Sequence, residues 1–160
     1  MNNYSALEIA DYFIELSNFT ISPMKLQKLL YYAQGWHLSE HDKPLINETI
    51  EVWRYGPVIS SIYYMYKQYG NNNITEVFMD ALEGFSPRIE DDIETKKFLN
   101  IIYNHYNQYS AIKLSNMTHL SGTPWKQICE KFEGIEFVPL GTDIPEDVLK
   151  DYFKKLGGDD

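Results

Sequence analysis

Helix-start signals recur along this chain and limit what it can become. Ser5, Ser22, Ser110 and Thr123 each precede a helix-like segment at the N-cap position, where a hydroxyl accepts from an otherwise free backbone amide. Ser22 and Thr123 are followed at once by Pro23 and Pro124, whose missing N–H costs nothing in a first helical turn. Ser5 with Glu8 and Asp91 with Glu94 have capping-box spacing. Apolar residues then recur three and four apart. They are Leu7, Ala10, Phe13 and Ile14; Leu26, Leu29, Leu30 and Ala33; Phe98, Ile101 and Ile102 with His105 and Tyr109; and Trp125, Ile128, Cys129 and Phe132. A chain built this way is mainly α, a single compact domain of about seven helices over residues 1–160. Residues 157–160 form a short acidic tail behind a last helix that follows Pro145.

Two stretches depart from the helical period. From Asn47 to Trp53 polar and apolar residues alternate, as in a short strand, and the stretch from Gly134 to Leu140 offers itself as the partner of a two-stranded β element. Gly56-Pro57 is expected to open a third helix that runs to Gly70, while residues 74–85 fit neither pattern. Gly35 stands inside the second helix, where glycine costs about 1 kcal/mol relative to alanine. Close approach of another backbone or an aromatic ring would compensate.

Charge narrows the function. Against 14 Lys and Arg stand 23 Asp and Glu, a net charge of −9 over 160 residues, and only Arg54 and Arg88 are arginines. A domain so acidic and so poor in arginine is a weak candidate for gripping phosphate backbones, so direct nucleic-acid binding is not expected. The single cysteine, Cys129, excludes an internal disulfide and a thiolate zinc site. No secretory signal and no span of about 20 apolar residues is apparent, so a cytoplasmic protein with no membrane contact is expected.

One string invites chemistry. His37-Leu38-Ser39-Glu40-His41 has the H-x-x-E-H spacing in which two histidines hold zinc and a glutamate acts as base, a metal-dependent hydrolase. The string ends a helix just before Asp42-Lys43-Pro44, where polar residues face water and a histidine is favoured by the helix dipole, and no third ligand announces itself. The polar helix end is the reading adopted, with no metal and no cofactor. His105 is expected to be a satisfied core histidine, Cys129 a buried inert thiol, and His119 a helix cap or a packing partner of Trp125. No nucleophile elbow, P-loop or dinucleotide fingerprint is present.

Thirteen tyrosines, eight phenylalanines and three tryptophans remain to be explained. Many fall in three strings: residues 27–36 (QKLLYYAQGW), residues 53–58 (WRYGPV) followed by Tyr63, and Thr118-His119 with Pro124-Trp125. In this order and spacing they resemble the Panacea domain, the SocA-like antitoxin or phage-associated GepA-like family, over nearly the whole chain. The resemblance implies a role and not a reaction. Such domains are antitoxins that neutralise a cognate toxin by direct protein–protein contact, and one branch is a proteolytic adaptor delivering its partner to a cytosolic protease. The residues carried over by the match are Lys28, Tyr32, Trp36, Trp53, Tyr55, Gly56, Pro57, Tyr63, His119, Pro124 and Trp125, as fold core or as toxin contact. The negative charge would steer a basic partner.

Overall fold

One helix organises the molecule. In the computed structural model, which describes residues 3–78 and 88–158, the seven helices are α1 (Ala6–Leu16), α2 (Pro23–His41), α3 (Ser60–Tyr66), α4 (Ile93–Tyr106), α5 (Ala111–Thr118), α6 (Pro124–Lys131) and α7 (Glu146–Leu156). A hairpin of β1 (Glu51–Trp53) and β2 (Gly56–Val58) lies between α2 and α3 in the chain. Helices α1, α3, α4, α5 and α7 and strand β2 all pack on α2. Every residue of α2 from Leu26 to Gly35 is buried, so this helix is covered on all sides and not along the single stripe expected from Leu26, Leu29, Leu30 and Ala33.

The cap signals act where they were read. Ser5, Ser22, Ser110 and Thr123 each accept from the amide three residues on, at the heads of α1, α2, α5 and α6. Helix α4 is capped by Asp92 and not by Asp91; its carboxylate takes the Thr95 amide and hydroxyl and the Tyr4 phenol. The buried face of α4 is Thr95, Phe98, Leu99, Ile102 and Tyr106. His105 is therefore exposed, against the expectation of a core histidine, because the inward position goes to the neighbouring Tyr106, whose ring stacks on Tyr32 at 3.9 Å.

The expected strand pairing is corrected. β1 pairs antiparallel with β2, Glu51 opposite Val58 and Trp53 opposite Gly56, so Gly56 and Pro57 belong to a strand and α3 begins only at Ser60. The stretch from Gly134 to Leu140 holds a 3-10 turn, Ile135–Phe137, and shows no buried alternation that could anchor a strand. The edge of β1 is met just beyond it: the Val52 amide donates to Thr142 O and the Ile144 amide to Ile50 O, each at 2.8 Å. Residues 79–85 of the unassigned stretch, and Asp159 and Asp160 of the tail, lie outside the described residues.

Two buried glutamines of α2 tie the extended segments to it. Gln27 Nε2 donates to Ile59 O at 3.0 Å while its Oε1 accepts the Ile59 amide at 2.9 Å. Gln34 Oε1 accepts both the Leu45 and Ile46 amides at 2.9 Å, and its Nε2 returns a bond to Ile46 O. Each side chain behaves as a strand edge would, pairing backbone groups that burial would otherwise leave unsatisfied.

Candidate functional site

The hairpin is held from three sides by side chains of distant helices. Trp125 of α6 donates its indole N–H to Trp53 O at 2.7 Å. Ser115 of α5 donates to Tyr55 O at 3.0 Å. Lys28 of α2 reaches Tyr55 O and Pro57 O, both at 3.4 Å. Gly56 makes room for that ammonium. Its φ is +125°, and a Cβ there would sit 2.6 Å from Lys28 Nζ and 3.2 Å from Thr118 Oγ1.

Lys28 is buried with no carboxylate beside it among the described residues, and desolvation pulls its pKa from 10.5 down to about 8. Its carbonyl partners satisfy the ammonium without neutralising it.

A second layer fixes the first. Thr118 donates to Ser115 O at 2.6 Å, and His119 places Nδ1 at 2.6 Å from the same oxygen, so Nδ1 carries the proton because a carbonyl can only accept. The His119 ring lies 4.2 Å from the Trp125 ring, and Thr123 at the head of α6 donates to Thr118 O at 2.7 Å. His119 is thus both the C-cap of α5 and the packing partner of Trp125.

Of the residues singled out in the sequence, Lys28, Trp53, Tyr55, Gly56, Pro57, His119 and Trp125 meet at this hairpin, and Pro124 starts the helix that supplies Trp125. Tyr32 and Trp36 do not join them. They lie further along α2, where Trp36 donates to Tyr106 OH at 2.7 Å and both rings meet Phe153 edge-on. Ser115, Gln27 and Gln34 are not among the residues that the family strings single out for a role. Both glutamines lie inside the string 27–36, and their seven-residue spacing puts them on one helical face.

Outside the hairpin a groove of about 470 Å³ opens between it, the start of α2 and α3. Trp53 is half-buried in its wall, with the Tyr63 ring 4.9 Å away, and Tyr63 and Met24 are exposed on it. Tyr55, at the turn, is 70% exposed.

The H-x-x-E-H string assembles no metal centre. His37 is buried and its Nδ1 lies 2.7 Å from Lys43 O, whereas Glu40 and His41 are exposed. No group of three potential ligands forms among the described residues. Cys129 is buried, and burial raises its thiol pKa, so it is a poor nucleophile. No helix among the described residues is long and apolar enough to cross a membrane.

The profile of the antitoxin SocA-like family, Panacea domain, matches residues 26–126, a span that contains the hairpin and all the side chains that clamp it. The chain belongs to this family. Antitoxin SocA of Caulobacter vibrioides (strain NA1000 / CB15N) is 33% identical over 140 residues, covering 84% of this chain and 72% of that relative. No solved structure matches. The motifs that carry the family likeness are, for the most part, the residues that lock the hairpin onto the helices. Membership supports an antitoxin role and implies a toxin partner.

Proposed function

We propose that this protein neutralises a cognate toxin by gripping it, without catalysis. The observation that carries the reading is the groove. Exposed Tyr55 and half-buried Trp53 stand on a hairpin whose backbone is bonded to three separate helices, and exposed Tyr63 of α3 packs beside Trp53. Rigid Tyr and Trp side chains lose little entropy on contact and serve as interface anchors. The polar groups behind them are engaged with one another. His119 spends its Nδ1 proton on a carbonyl, and the Lys28 ammonium faces carbonyl oxygens. That arrangement supports binding and offers no activated nucleophile.

Co-expression with the product of the adjacent reading frame tests the reading. Growth should be restored, the two proteins should co-purify, and the toxin's half-life should be unchanged. Rescue accompanied by faster loss of the toxin, and no stable complex, would instead mark the protein as an adaptor that hands its partner to a protease.

A further inference from the structure

The groove runs against the charge of the molecule that carries it. The chain has a net charge of −9, yet no Asp or Glu lines the groove, while Lys28, Arg54 and Lys67 do. Arg54 and Lys67 are exposed, and among the described residues neither makes an ion pair. Lys67 rests over the Tyr64 ring, 5.3 Å from its centre. Glu51, on the strand next to it, has its carboxylate on the Trp53 indole N–H at 3.1 Å. Two exposed cations, Arg54 and Lys67, thus stand with the apolar Met24, Trp53 and Tyr63 along the groove, and the buried Lys28 ammonium lies on carbonyl oxygens.

We propose that this groove takes an acidic segment of the partner protein, an apolar side chain flanked by carboxylates. The apolar group packs on Met24, Trp53 and Tyr63, and the carboxylates meet Arg54 and Lys67. The proposal deepens the binding reading above and rests on it. Charge complementarity selects the occupant. A basic segment would meet the like charges of Arg54 and Lys67 as it entered, which disfavours it. A nucleic acid would satisfy the cations, but a chain of net charge −9 with only two arginines is a poor partner for a phosphate backbone.

A zero-length carbodiimide cross-linker tests this, because it joins a lysine only to a carboxylate in direct contact. The probe is the purified product of the adjacent reading frame, mixed with the full-length chain. The expected result is a cross-link between Lys67 and an Asp or Glu of the partner. The surface variant Arg54→Glu/Lys67→Glu should weaken the complex at least about tenfold, whereas Ile112→Asp, at an exposed position of α5, should not. Wild-type affinity in the double variant would overturn the proposal. So would cross-links made only between this chain's carboxylates and the partner's lysines. Retention of a labelled single-stranded DNA of about 20 nucleotides, lost in the double variant, would likewise overturn it by assigning the groove to nucleic acid. If the wild-type chain forms no complex at all, the binding reading itself fails and takes this proposal with it.

Discussion

The Phe153 ring occupies the space that a side chain at position 35 would need. A Cβ built on Gly35 would lie 2.1 Å from Phe153 Cε2. Helix α7 can therefore sit directly on the α2 backbone, and Phe153 touches Tyr31, Tyr32 and Trp36 edge-on. Gly35→Ala gains about 1 kcal/mol of helix propensity and loses up to about 3 kcal/mol to the clash, for a net destabilisation of up to about 2 kcal/mol. Urea denaturation checks this. Combined with Phe153→Ala, the loss should be smaller than the sum of the two single variants, since the clash goes with the ring.

Trp125 holds the hairpin by one hydrogen bond, to Trp53 O. Trp125→Phe keeps most of the packing and removes the donor, leaving a carbonyl short of its partner. The expected cost is about 1–3 kcal/mol. Hydrogen exchange should quicken at the amides of residues 51–58 before it quickens in α1 or α4. Uniform acceleration across all helices would contradict the local clamp.

The buried ammonium of Lys28 makes stability depend on alkaline pH. Burial lowers its pKa in the folded chain from 10.5 to about 8, so between these values the unfolded chain holds the extra proton. Stability from this group therefore rises with pH across that window and is flat below it, by about 3 kcal/mol in all. Lys28→Met removes the titrating group. The wild-type urea midpoint should rise relative to that of the variant from pH 8 to pH 10. A constant difference would show that Lys28 is not desolvated.

His37 works at the acid end. Desolvation outweighs its bond to Lys43 O and lowers its pKa from 6.5 to about 4. The unfolded chain binds the proton first as pH falls. His37 therefore contributes stability that is complete above about 6.5 and is lost progressively toward 4. Nitrogen-15 NMR of the imidazole should show a neutral ring protonated at Nδ1 at pH 5. An imidazolium at that pH would contradict the buried placement.

The parts of this fold legible in the sequence are those decided within one helical turn. Ser22-Pro23 and Thr123-Pro124 start helices because a hydroxyl and a proline act on the next three amides. Gly35 could be read as a place of close approach, since helical glycine needs compensation. The hairpin could not be read. Its second strand, Gly56 to Val58, has the sequence of a helix start, and what holds the hairpin are Lys28 on Pro57 O, Ser115 on Tyr55 O and Trp125 on Trp53 O, all from far away along the chain. The same limit hid the groove. Net charge averages over the whole surface, whereas Arg54 and Lys67 stand together in one place. The family strings marked which residues matter before geometry divided them into the hairpin clamp and the Tyr32–Trp36 cluster.

A titration with intact-mass analysis tests the account most directly. The separately purified toxin is mixed with increasing amounts of this protein, with no protease or nucleotide present, and its residual activity is followed. The account predicts inhibition that is complete only at stoichiometric amounts, with both masses unchanged and toxin activity recovered on dissociation. Full inactivation by a small fraction of an equivalent, or a changed toxin mass, would contradict it.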